Sequence, residues 1–504
     1  MALHPRARAA ACAAGRGPGG YLRPARVALL SMVAASIGGC TVGPNFSAPA
    51  HPPEQAYIAD PVADFGTQRE TRQHLAMGVT LPADWWTLLR SPELDQTVAL
   101  ALANNRSVAI ARANLSKAAE GVAAARGGLF PQVDAAAGVQ RRQYGASFLG
   151  PEAFTFPTYS AYSAGLDISY DLDVFGGTRR RIELAAADAA VQTESLNAVR
   201  LTVAGATVIE ALQIAAIRAQ IDVVADILAS DQQNLTLVRT ANGAGVATQM
   251  DVTTAQSQLD RDRTRLPPLR QQLDVARDAL AILMGKSPAA WSAPDFNLAR
   301  MTLPENVPLT VPSDLVRARP DIRAAEADLH AANAAVGVAT ADLYPRFTLS
   351  AGLAEEGLIT GPSGAAWSLV GGLTAPIFHG GALSAARRGA QDAYQAAFAQ
   401  YQQTVLGAFQ QVADSLHGLE NAADSVKTEQ QALTSASAAL RLTRLGYGAG
   451  NAGIVQVLDA QRLRQLAELS LVQARTQRYI QTVALFQAAG GGLTDATQRS
   501  AAAK

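Results

Sequence analysis

The sequence predicts an α+β membrane protein built from a duplicated unit, a β-hairpin followed by a long α-helical hairpin. Three observations carry this: an internal repeat, a long proline-free heptad stretch, and a run of strictly alternating apolar and polar residues.

The repeat is decisive for every later assignment. Leu237-Val-Arg-Thr-Ala-Asn-Gly-Ala-Gly245 aligns with Leu442-Thr-Arg-Leu-Gly-Tyr-Gly-Ala-Gly450, a step of 205 that also carries Ala255-Gln256 onto Ala460-Gln461. Upstream, Leu129-Phe130-Pro131 matches Leu343-Tyr344-Pro345, and Phe175-Gly176-Gly177 matches Phe378-His379-Gly380-Gly381. A period this long excludes a solenoid and reads as one large unit used twice. Proline-rich stretches at 44–53 and between Pro288 and Pro320 bracket the first copy and mark linkers.

A helix of unusual length follows Phe-Gly-Gly. From Thr178 to Ala241 there is no proline and one glycine, Gly205. At 1.5 Å per residue that is roughly 95 Å. Its second half carries Ile214, Ile217, Ile221, Val224, Leu228, Asp231, Leu235 and Val238 at steps of three and four, a heptad seam interrupted once by an acid. The second copy repeats it more weakly as Leu419, Ala422, Val426, Glu429, Leu433, Ala436, Leu440 and Thr443. A glycine-containing turn then reverses each helix. In the second copy the return runs from about Ile454 to Ala489, with Val455, Leu458, Leu469, Val472, Tyr479, Val483 and Phe486 on one stripe.

A self-contained helix bundle would explain the heptads alone, but the strands argue against it. From Tyr162 to Val174 one parity is apolar (Tyr162, Ala164, Leu166, Ile168, Tyr170, Leu172, Val174), and the other carries Asp167, Asp171 and Asp173. Alternation over about ten residues marks a membrane barrel strand and also a half-buried soluble sheet. Weaker partners lie at Val133 to Val139, Phe347 to Leu353 and Trp367 to Ile377. Four strands cannot close a barrel, and an open edge in lipid leaves backbone groups unsatisfied. If these strands enter a membrane, several chains must share one barrel.

The N-terminus gives an address. Arg23 and Arg26 precede an apolar run, Val27 to Ile37, ending in Ile37-Gly38-Gly39-Cys40. This is the layout of an export signal, too short to span a bilayer. Cys40 after Ile-Gly-Gly resembles the bacterial lipobox, which implies cleavage before Cys40, acylation there, and, with Thr41 next, sorting to the outer membrane. A plain secretory signal with an incidental cysteine is the alternative. Removal of residues 1–39 leaves 37 basic against 42 acidic residues.

Composition excludes several functions. The full chain has 42 basic and 42 acidic residues, which leaves no basic excess for nucleic acid. Two cysteines cannot frame a disulfide scaffold, and six scattered histidines disfavour a metal centre. Gly285-Lys286-Ser287 imitates the end of a phosphate loop, but Leu280 stands where its glycine is required. No run approaches 18 consecutive apolar residues, so no ordinary transmembrane helix is expected. No enzyme motif and no cofactor is expected, apart from covalent lipid on Cys40.

These features coincide with a known family. The chain resembles the TolC-like outer-membrane factors, in the lipoprotein branch serving resistance-nodulation-division (RND) efflux pumps. The resemblance rests on Cys40-Thr-Val-Gly-Pro-Asn-Phe46, Trp85-Trp86 before Leu94, Phe175-Gly176-Gly177, the run from Val311 to Arg323, and the run from Tyr447 to Gln461. It implies a homotrimer with twelve strands in one outer-membrane barrel and a coiled-coil helical barrel in the periplasm. A periplasmic adaptor and an inner-membrane pump are the implied partners, and efflux of small molecules the implied function. The implied layout is a signal at 1–39, an N-terminal segment at 40–92, and a first repeat at 93–287 (hairpin 131–174, helices 178–284). A linker at 288–320, a second repeat at 321–489 (hairpin 345–378, helices 382–489) and a tail at 490–504 follow. The N-terminal segment, the linker and the tail would form an equatorial belt.

Carried across residue by residue, the resemblance places an aperture aspartate on Asp459 with a basic partner at Arg462. It places an apolar constriction on Val455 and a tip-locking tyrosine–aspartate hydrogen bond on Tyr447 and Asp251. Gly243, Gly245, Gly448 and Gly450 serve the tip turns, where positive φ is often needed, or adaptor docking. Gln456 stands where some members have a second aperture aspartate, and Ala452 where some have a gating arginine. Two other readings stay open: a structural lipoprotein spanning the periplasm, and a type I protein-secretion duct.

Overall fold

The structure, a computed structural model, describes residues 41–50, 56–59, 63–66, 72–143 and 157–492. Cys40, the signal segment and the end of the C-terminal tail lie outside the described residues. The chain divides into two compact units.

The first unit gathers residues 128–179 and 340–379 with the described residues up to Gly43. Its core is one antiparallel sheet of four strands: β3 (Gln132–Arg142), β4 (Tyr159–Leu172), β6 (Arg346–Leu358) and β7 (Ser363–Thr374), in the order β3-β4-β6-β7. Each copy supplies one hairpin, and β4 against β6 joins them. The register sorts the faces. One row across all four strands reads Ala135, Leu166, Leu353, Trp367, and the next Val133, Ile168, Ala351, Leu369. A row on the opposite face reads Asp134, Asp167, Gly352, Ser368. The apolar face is open to solvent within the chain, with Trp367 79% and Leu369 72% exposed.

Two expectations about the strands need correction. β4 stops at Leu172, not Val174, because Asp173 leaves the ladder to accept hydrogen bonds from the backbone N–H groups of Thr178 (2.8 Å) and Arg179 (2.9 Å). β7 stops at Thr374, so Ile377 lies beyond it. Ahead of the helix, Gly176 takes a φ of 78° and packs on Thr41, and Val42 N–H donates to the Phe175 carbonyl at 3.1 Å.

The second unit holds nearly all the helix. The principal elements are α1 (Pro92–Asn104), α2 (Arg106–Gly127), α3 (Gly177–Gly243), α4 (Gln249–Arg263), α5 (Leu266–Leu283), α6 (Pro312–Ala318), α7 (Pro320–Ala341), α8 (Ala382–Gly448) and α9 (Ile454–Ala488). The duplication is visible in their bounds. α3 and α8 each have 67 residues, and starts, ends and return helices (Gly177 and Ala382, Gly243 and Gly448, Gln249 and Ile454) all differ by 205. The returns differ. α9 runs unbroken for 35 residues, whereas the first copy breaks into α4 and α5 just before Pro267-Pro268, where proline cannot continue the hydrogen-bond ladder.

A small sheet in this unit orders β1 (Asp64–Phe65), β2 (Gln73–Met77) and β5 (Asn306–Leu309), bringing the N-terminal segment and the linker together. Beside it the main core forms around Trp85, Leu89, Leu94, Leu212, Ile214 and Phe486, all at most 1% exposed. Trp85 meets Phe486 with ring centroids 5.7 Å apart, and the Arg319 guanidinium donates to the Ala488 carbonyl at 2.7 Å. α3 is long and apolar enough to cross a membrane, but 56% of its most apolar window is buried within the chain, as for a core helix. In α9 the expected stripe is buried at Leu458, Val483 and Phe486, but its first member is not: Val455 is 55% exposed, and Val457 is buried in its place.

Candidate functional site

The site predicted from sequence lies at the two helix reversals, and their backbone follows one design. Val246 N–H donates to the Ala241 carbonyl (2.9 Å) and Asn451 N–H to that of Gly446 (2.8 Å). Gly245 and Gly450 sit at φ values of 76° and 77°. These are Schellman terminations, which require a left-handed residue just past the helix end. Gly245 and Gly450 therefore have the conformational role expected of them. Gly243 and Gly448 do not, being the last residues of α3 and α8 without positive φ.

The return helices begin differently. Thr248 caps α4: its Oγ1 accepts from Asp251 N–H (3.2 Å), and the Asp251 carboxylate accepts from Thr248 N–H and Oγ1–H, both at 2.8 Å. Those hydrogen bonds hold the Asp251 carboxyl below the usual carboxylate range. α9 begins at Gly453, whose N–H donates to Gln456 Oε1 at 2.8 Å. Gln456 thus secures a helix start.

Capping occupies the aspartate of the expected tip lock within the chain. Among the described hydrogen bonds none joins Tyr447 to Asp251, because the Asp251 carboxylate is turned onto Thr248. Tyr447 packs instead on an apolar cluster of Leu235, Val238, Ala255, Leu259, Leu440, Ile454, Val457, Leu458 and Ala460. Leu235 with Leu440 and Ala255 with Ala460 are pairs at the repeat step. Asp459 and Arg462 do meet: the guanidinium donates to Asp459 Oδ1 at 2.8 Å, with side chains 59% and 44% exposed. Val455, Val246 and Met250 are exposed apolar residues at the reversals.

Sequence reading missed a polar layer above that cluster. Asp231, 3% exposed, and Asp262, 3% exposed, face each other from α3 and α4. Gln461 and Gln465 of α9 donate to Asp231 Oδ1 at 3.0 and 3.4 Å. Asn234 donates to Gln461 Oε1, and Gln461 Nε2 also reaches Ser230 Oγ at 3.0 Å. The one signal in the sequence was Asp231 as the acid in an otherwise apolar seam.

A duplicated chain with a two-faced, open-edged sheet and paired helical hairpins defines a class: an outer-membrane channel completed by assembly. Comparison with known proteins gives the family. The sequence profile described as "Outer membrane efflux protein" matches residues 97–286 and 311–491, one stretch in each copy. The outer membrane protein OprJ of Pseudomonas aeruginosa is 30% identical over 473 residues, covering 92% of this chain and 95% of the relative. The pyoverdine export outer membrane protein OpmQ of the same species is 30% identical, covering 92% and 96%. Among solved structures, the outer-membrane channel OprN superimposes with a TM-score of 0.80 at 27% identity, covering 90% of this chain and all of that one. The CmeC outer membrane channel of Campylobacter jejuni, at 20% identity and a TM-score of 0.79, shares the fold. The chain belongs to the outer membrane efflux protein family. It is an outer-membrane efflux protein with the fold of the outer-membrane channels.

Proposed function

We propose that this channel is the passive exit duct for small molecules that an RND pump and a periplasmic adaptor deliver, with the adaptor seated on the helix reversals. The observation that carries the reading is the sheet: one face apolar, the other polar, and both edge strands, β3 and β7, open. Such a sheet is stable in lipid only when closed by further copies. Lipid on Cys40 fixes the chain to the membrane, since acyl chains add about 0.8 kcal/mol per buried CH₂.

The gate in this reading uses the reversals. Three Asp459 carboxylates about 6 Å apart repel by roughly 3 kcal/mol per pair at an effective dielectric near 20. That ring attracts cations, with Arg462 offsetting part of the repulsion and Val455 narrowing the aperture. Tyr447 holds the tip through packing and Asp251 through capping; Gly245 and Gly450 form the turns, while Gly243 and Gly448, with no atom near a notional Cβ, leave room for an adaptor backbone.

Single-channel recording of the mature protein in a planar bilayer tests this. Wild type gives small, flickering currents blocked by divalent cations, and Asp459→Asn loses the block. Tyr447→Ala raises conductance several-fold, while Tyr447→Phe matches wild type. Block that survives Asp459→Asn removes the ring from the gate, and a detergent-stable oligomer with no current favours the structural lipoprotein. The same preparation grown with labelled palmitate carries label that Cys40→Ser loses; label retained there refutes lipidation at Cys40.

A further inference from the structure

The Asp231–Asp262 pair has no part in the gate described above, and its hydrogen-bond inventory does not close with both groups ionised. Asp262 Oδ1 accepts from Arg265 Nε (2.8 Å) and its Oδ2 from Gln258. Asp231 Oδ1 accepts from Gln461 and Gln465. The fourth oxygen, Asp231 Oδ2, is buried and receives no donor, and the Asp231 side chain lies within interaction range of the Asp262 carboxyl. A buried carboxylate oxygen beside a second carboxylate is strongly unfavourable. A hydrogen placed on Asp231 Oδ2 and donated to Asp262 resolves both faults.

We propose that Asp231 and Asp262 form a proton-binding site, in which one proton held on Asp231 Oδ2 ties α3 to α4 and tightens the first helical hairpin. Asp262 accepts the hydrogen bond from that proton and keeps its contact with Arg265. The other groups packed on the pair from α3 and α9 are neutral: Ser230, Asn234, Gln461 and Gln465. Arg444 of α8 reaches Gln461 at 3.5 Å, and Arg464 of α9 is paired with Glu468 at 3.0 Å. Burial, and then the facing Asp262, push the Asp231 carboxyl up to about 7. A raised acid stabilises the closed hairpin at low pH and loses that contribution as pH rises through the closed-state value. Acid therefore locks the hairpin, and neutral medium loosens it. The site is proton-selective because the remaining oxygens already have donors.

The test is hydrogen exchange of the detergent-solubilised full protein, corrected for intrinsic rates, read at segments 225–240 and 255–270. Local opening in wild type rises about tenfold per pH unit between about pH 5 and 7, then levels off. The isosteric Asp231→Asn stays flat and protected across that range, and Asp262→Asn moves the step to lower pH. Infrared spectra at pH 5.5 show a protonated-carboxyl band that Asp231→Asn removes, a readout independent of how the hairpin moves. An unchanged band in Asp231→Asn, or the same pH profile in wild type and variant, overturns the proposal. So does a step that follows sodium or potassium concentration instead of pH, which identifies a bound metal cation.

Discussion

The first helical hairpin places Asp231 and Asp262 where the second, one repeat step on, has Ala436 and Ala467. The second places Asp459 and Arg462 where the first has Thr254 and Ser257. Helix bounds, Schellman turns and the leucine pair Leu235–Leu440 are common to both. Duplication thus preserved backbone geometry and apolar packing, while charge diverged. One copy buried its acids and the other left an ion pair exposed. The energetic consequences differ accordingly: an exposed helical ion pair contributes a few tenths of a kcal/mol, whereas one buried carboxylate oxygen left without a donor costs several times that.

The shared part of the comparison carries the largest expected effect. Leu235→Ala and Leu440→Ala each remove a side chain at most 5% exposed from the same cluster, and each should cost about 2–5 kcal/mol. Because the two share a cavity, the double variant should lose less than the sum. Heat denaturation of the solubilised protein reads this, and strict additivity would break the assignment to one cluster.

The helix starts sharpen the comparison with a smaller effect. Thr248→Ala deletes a side-chain cap that the second copy lacks and should cost about 1 kcal/mol. Gly453→Ser supplies one, at a backbone of φ −85°, ψ 160° with open space around the new side chain, and should gain a few tenths of a kcal/mol. Denaturant midpoints that move equally, or in the reverse order, would show that the starts are equivalent.

Much of the fold was legible because it is periodic. The step of 205 residues found at Leu237 and Leu442 reappears at both ends of both long helices. The parity of Tyr162 to Leu172 reappears as the two faces of the sheet. What failed was local or convergent. Asp173 reads as one more polar strand position until its carboxylate is seen capping a helix. The Asp251 carboxylate likewise caps its own helix at Thr248, three residues away, a local role that the motif match does not show. Val455 reads as stripe because heptad arithmetic does not fix which side of a helix faces inward; Val457 is the buried one. The carboxyl pair needed residues from three helices, at positions 231, 262, 461 and 465. Only Asp231, out of place in its seam, announced it.

The equal length of α3 and α8 constrains how such a chain can evolve. Seven residues added to one alone would carry its turn about 10 Å past the other. Leu235 and Leu440 would part. Insertions and deletions in these helices can persist only when matched in both copies. The lineage's reach across its compartment therefore changes in paired increments, and a lone indel in either helix marks a chain that has lost its turn.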